Sequence, residues 1–155
     1  MIDTSIEQLV DVLAVEERVH RDLRQLLTEE RECMLNLDAQ GLYEHATRKQ
    51  VLADEGRLAE GARIQAARVL AQELGIEDEP VTLRRLCAAL GERGAKLREA
   101  QSRLLAIVTA AQELADANRV LGGERLTNVQ TTLRLLGRLA PARESGAGRL
   151  VRTNA

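Results

Sequence analysis

The stretch "TSIEQLVDVLAVEERVHRDLRQLLTEERECMLNL" (residues 4–37) decides the fold class. Apolar side chains recur in it at Ile6, Leu9, Val12/Leu13, Val19, Leu23, Leu26/Leu27, Met34 and Leu37, a three-four spacing that keeps one stripe on one helix face. Thr4-Ser5-Ile6-Glu7 has the form of a capping box, in which the Thr4 hydroxyl accepts from the Glu7 amide and the Glu7 carboxylate reaches back. The first helix is therefore predicted to start at Thr4. At 1.5 Å per residue it is about 50 Å long, more than the diameter of a compact domain of this size, so an elongated molecule is expected.

The composition supports helices throughout. Of 155 residues, aromatic side chains make up only 1%, with Tyr43 alone and no Trp or Phe, so burial has to come from Leu, Val, Ile and Ala. Such side chains suit helix-on-helix layers, and an Ala/Glu/Leu/Arg-rich chain with two prolines has a coiled-coil character. The expected architecture is all-α: an elongated antiparallel helical bundle or coiled coil of three long helices plus one short helix. Cys33 and Cys87 match no CxxC spacing and sit in apolar-periodic stretches, as small core residues of a reduced, cytoplasmic protein do. No apolar run approaches the roughly 20 residues of a membrane span.

Beyond the first helix, Asp38-Ala-Gln-Gly41 is a turn-forming run with a candidate N-cap. A second helix over about 40–73 follows, with a weaker, Ala-rich face and with Gly56 and Gly61 inside it. Leu74-Gly75-Ile76 before Pro80 is a helix stop, with glycine at the position that takes a left-handed conformation. Thr82 can cap a short helix, Leu83 to Leu90, ended by Gly91 and Gly94. A last long helix from about Ala95 runs to Gly122-Gly123 and resumes through Leu126, Val129, Leu133, Leu136 and Leu139, and Pro141 closes the helical region. One helical domain over 1–140 is expected, and residues 141–155 read as a flexible tail.

Net charge is −2, but residues 1–80 hold 9 basic and 18 acidic side chains while residues 81–155 hold 13 and 6. An acidic half packed beside a basic half explains this split. A nucleic-acid surface is disfavoured, because the arginines stand singly among leucines with no aromatic interleaving. Glu17-Arg-Val-His20 has the spacing of one half of a di-iron unit, but His45 has Leu42 in place of the second unit's carboxylate, and no metal site or cofactor is expected. "LGERGAKL" (residues 90–97) fails the phosphate-loop spacing, and no Gly-x-Ser-x-Gly turn is present. Catalysis needs a walled pocket, which helical rods with one aromatic rarely form, so the chain is not expected to be an enzyme.

"ADANRVLGGERLTNVQTTLRLLGRL" (residues 115–139) stands apart. Its polar positions are largely amides and hydroxyls: Asn118, Thr127, Asn128, Gln130, Thr131 and Thr132. As plain structure it is the last helix of a bundle with a kink. As a functional element, Gly122-Gly123 lowers helix stability by roughly 2 kcal/mol relative to Ala-Ala. Residues 124–139 can then detach and lay their leucines against a partner helix, with Gly122 and Gly123 as hinge.

The pattern Asn118, Gly122, Arg125, Leu126, Gln130, Leu133, Leu136 resembles the C-terminal region of the FlgN family of flagellar type III export chaperones. "LNLDAQGLYEHATRKQVLADEGRL" (residues 35–58) is similar to the family's short turn, with Asp38, Leu42, Lys49 and Leu52, and the Leu-Gly-Ile turn and the Gly/Arg-rich tail agree in order. The resemblance implies a non-enzymatic cytoplasmic chaperone. Its implied substrates are the C-terminal helices of the hook-associated junction proteins FlgK and FlgL, which it keeps unassembled and brings to the export gate protein FlhA. Substrate binding is implied for segment 118–139, on Leu126, Val129, Leu133, Leu136 and Leu139, with Asn118, Arg125 and Gln130 as polar neighbours. The Gly122-Gly123 pair and the lack of any aromatic residue in the C-terminal half depart from the family's common pattern. No nucleic acid and no membrane span enter this reading, and homodimer formation is left open. The alternative is a structural coiled coil or adaptor whose stripe serves self-association.

Overall fold

The computed structural model describes residues 1–77 and 80–139, apart from the side chains at 137 and 139. The expected flexible tail and the Pro141 stop lie outside the described residues. Four α-helices form in chain order: α1 (Ile2–Asn36), α2 (Ala39–Glu73), α3 (Leu83–Leu90) and α4 (Ala95–Leu139), with a 3-10 turn over Gly91–Gly94 between the last two. No strand occurs among the described residues, and the protein is all-α.

Local chemistry accounts for most of the boundaries. Asp38 caps α2 by accepting the Gly41 amide at 2.9 Å. Gly41 is required there by close approach, since a Cβ would collide with the Asp38 carboxylate and lie 2.7 Å from Cys33 Sγ. Gly75 takes φ 67°, and the amides of Gly75 and Ile76 close onto Gln72 O and Ala71 O, satisfying the last carbonyls of α2. Thr82 accepts the Arg85 amide at 3.2 Å and starts α3.

One expectation needs correction. Thr4-Ser5-Ile6-Glu7 is not a capping box: α1 already begins at Ile2, the Ser5 amide bonds Met1 O at 3.0 Å, and Thr4 lies inside the first turn. The helix is entered from Met1 without any side-chain cap, so the box does not set its start. The Gly122-Gly123 pair does not interrupt the last helix, which runs unbroken through both residues.

The long helices run alternately up, down and up. Glu16 meets Arg63, Glu29 meets Arg48 and Glu30 meets Lys49, so α2 runs opposite to α1. Glu17 meets Arg103 and Leu27 meets Asn118, so α4 runs parallel to α1, and Asp3 meets Arg93 in the 3-10 turn that leads into α4. α1 packs along both α2 and α4, which scarcely touch each other. A groove therefore runs between α2 and α4 with α1 as its floor. Its two cavities, of about 390 and 410 Å³, are lined from all three helices.

The core is concentrated at one end. Ile6, Leu9, Leu13, Ala67, Leu70, Ala71, Leu86, Cys87, Leu90, Leu97 and Ala100 form one buried cluster, with α3 as a plug between the end of α2 and the start of α4. The small residues of α2 let this cluster close: Ala67 and Ala71 are buried beside Leu70. Gly61, by contrast, faces open space and serves no close approach. Toward the α1–α2 turn the packing thins and becomes polar.

Candidate functional site

The polar layer near that turn joins all three long helices. Asn118 on α4 donates from Nδ2 to Leu27 O at 2.7 Å and to Glu30 Oε2 at 3.1 Å on α1, and Lys49 on α2 pairs with the other Glu30 oxygen. Both Nδ2 hydrogens are thus used, while Asn118 Oδ1 is buried with no hydrogen-bond partner. Asn118 is 3% exposed. It holds α4 to α1 and offers no exposed surface in this conformation. Buried amide layers of this kind fix the register of packed helices.

At the turn itself, His45 bridges α2 to α1. Its Nδ1–H donates to Gly41 O at 2.5 Å, and Nε2 faces Glu29 Oε2 at 3.1 Å. The bond to Gly41 O, opposed by burial and aided by Glu29, raises the His45 pKa above its ordinary value. Cys33 Sγ lies 4.0 Å from the ring, and burial together with Asp38 pushes its thiol up rather than activating it. His20 donates from Nδ1 to Glu16 O at 2.9 Å, and Glu17 is engaged by Arg21 and Arg103, so this pair does not converge on one point. Among the described residues no cluster of three or more His, Cys, Asp or Glu side chains is placed to hold a metal ion.

Past Gly122 the α1 helix ends and α4 continues alone. A Cβ on Gly122 would lie 3.4 Å from Met34 Sδ, near the last turn of α1, and nothing lies within 4 Å of one on Gly123. The following stretch projects about 25 Å at the helical rise. Leu126 is 60% exposed, Val129 47%, Leu133 62% and Leu136 58%, with Leu135 also exposed. Isolated surface leucines need no explanation, but a row on one helix face without a partner is an apolar patch of the kind that binds other proteins. Arg125 is half-buried and Gln130 exposed beside this row, and the Leu139 side chain lies outside the described residues. The structure thus brings Arg125, Leu126, Val129, Gln130, Leu133 and Leu136 together on the free part of α4 and places Asn118 in the packing below it.

One neighbour of this row was not singled out by the sequence. Leu37, just past α1, lines a cavity of about 230 Å³ with Arg125, Asn128, Val129, Thr132 and Leu133. The sequence signal, Leu37 as the last position of the α1 stripe, read as ordinary packing.

The architecture is thus a groove-bearing helical body whose last helix carries an uncovered apolar row. The family model described as "FlgN protein" matches residues 1–144. The chain belongs to the FlgN family, a family of flagellar export chaperones and not of enzymes. No curated protein and no solved structure matches the chain. No helix among the described residues is long and apolar enough to cross a membrane.

Proposed function

We propose that this chaperone binds the C-terminal helices of the hook-associated proteins FlgK and FlgL in the cytoplasm, prevents their early assembly, and delivers them to the export gate protein FlhA. The observation that carries this reading is the exposed row Leu126, Val129, Leu133 and Leu136 on the part of α4 that leaves the bundle. Helix-in-groove recognition uses anchors at three-four spacing, which this row supplies. The body of the molecule, with its core at the α3 end, acts as one domain that carries the arm, and segment 118–139 is its substrate element, with Gly122-Gly123 tuning how firmly the arm stays helical. An arm without aromatic residues gives an interface modest enough to release at the gate.

The test is calorimetry of the purified protein with the C-terminal helical segment of FlgK, alongside a Leu133→Asp, Leu136→Asp variant. Both side chains are exposed, so the variant keeps its helical circular dichroism. One-to-one binding, lost in the variant, is the expected result. Absence of binding by the native protein, together with concentration-dependent self-association, would replace this reading by the structural coiled coil.

A further inference from the structure

The face of α4 that packs on α1 does not stop where α1 stops. Asn118 contacts Leu27 and Glu30, Gly122 faces Met34, and Arg125, Val129 and Leu133 continue the same three-four spacing beside Leu37. The α1–α4 interface thus runs on into open space, with Leu37 at the boundary.

Leu37 is itself unusual. Its φ of 56° is the left-handed conformation that glycine or asparagine adopts with little strain, and it is the one non-glycine residue with positive φ among the described residues. Its amide and that of Asp38 close onto Met34 O and Cys33 O, the motif that ends helices in glycine elsewhere. Its side chain is nevertheless 66% exposed, so the strain is not offset by burial within the chain. Backbone strain held at an exposed apolar residue facing a cavity points to a contact made with another molecule.

Resting on the reading above, we propose that Leu37 is part of the docking site, and that the bound helix lies along the line of α1, its end seated against Leu37 and its apolar face on Val129, Leu133 and Leu136. The occupant has acidic flanks. From residue 124 to 139 the arm carries Arg125, Arg134 and Arg138 against Glu124 alone, and α1 itself meets α4 through acidic partners, Glu17 to Arg103 and Glu30 to Asn118. A second copy offering its own arm would set arginine against arginine, which disfavours that occupant.

Two measurements on the full chain test this. Leu37→Asn fits the backbone conformation and removes only the side chain. Its thermal midpoint is expected to stay level or rise while affinity for the FlgK C-terminal segment falls roughly tenfold or more. A lowered midpoint would make Leu37 a packing residue of the turn and overturn the proposal. Unchanged affinity in Leu37→Asn beside lost affinity in the Leu133→Asp, Leu136→Asp variant would also overturn it, leaving the chaperone reading intact; no binding by the native protein would end both. The second measurement compares two labelled synthetic helices with one leucine stripe, flanked by Glu or by Lys. The Glu helix is expected to bind about tenfold tighter at low salt, with the difference shrinking as salt is added. Equal binding, tighter binding of the Lys helix, or a dimer of the chaperone dispersed by Leu37→Asn would overturn the assigned occupant.

Discussion

Replacing Gly123 by alanine isolates the contribution of the glycine pair to the arm. Gly123 is helical, and nothing lies within 4 Å of the position a Cβ would take, so the substitution alters no tertiary contact. The remaining effect is intrinsic: glycine in a helix interior is about 1 kcal/mol less favourable than alanine. Beyond this point the described contact to the body is at Leu37, so opening of residues 124–139 is local and its free energy shifts by nearly the full amount. Amide exchange between Leu126 and Leu136 should then slow by about fivefold, while amides of the core helices near Leu9 and Leu97 keep their rates. Adding Gly122→Ala brings a Cβ to ordinary contact with the flexible Met34 thioether and should extend the slowing to about thirtyfold. Native-state hydrogen exchange followed by mass spectrometry reads both. Unchanged exchange of the arm in Gly123→Ala would refute the reasoning, since the glycines would not then limit the helix.

Two further outcomes are expected away from the arm. Asn118→Ala removes the bonds to Leu27 and Glu30 and leaves a small void, so urea unfolding should show a loss of about 1–3 kcal/mol, with the helices still formed; a loss below about half a kcal/mol would mean that the layer does not hold α4. His45 has a raised pKa through Gly41 O and Glu29, with Arg48 opposing, so its charged form stabilises the fold. That contribution is complete below the ordinary value of 6.5 and is lost as pH rises through the raised one. The urea midpoint should therefore decline upward from that value, and His45→Gln should flatten the decline.

What could be read from the sequence was local. The Asp38 cap, the Gly75 stop and the Thr82 cap each depend on residues within five positions, and each is in place. The charge split also had physical content, since Asp3–Arg93 and Glu17–Arg103 join the acidic and basic halves. The Thr4 box failed because a pattern for a helix start does not exclude a start further upstream. The burial of Asn118 was not legible for a different reason: its spacing fits the exposed row equally well, and only Leu27 and Glu30, distant in sequence, bury it. Leu37 was read as packing because its spacing continues the α1 stripe and nothing in a leucine announces a left-handed backbone. Nor does an amphipathic stripe state which neighbour it faces, so the choice of α1 over α2 as the seat of α4 needed the structure.

That choice has a consequence for synthesis. α1 and α2 can form their hairpin as soon as they leave the ribosome, but the α4 residues that meet α1 lie about 90 positions downstream of their partners. At 5–20 residues per second the interval is roughly 5 to 20 s, during which the α4-facing side of α1, with Leu27 and Glu30, waits uncovered. The newborn hairpin therefore presents, for several seconds, an apolar seam that the finished protein closes with its own last helix. For those seconds the export chaperone is itself an unfinished fold with one helix face uncovered.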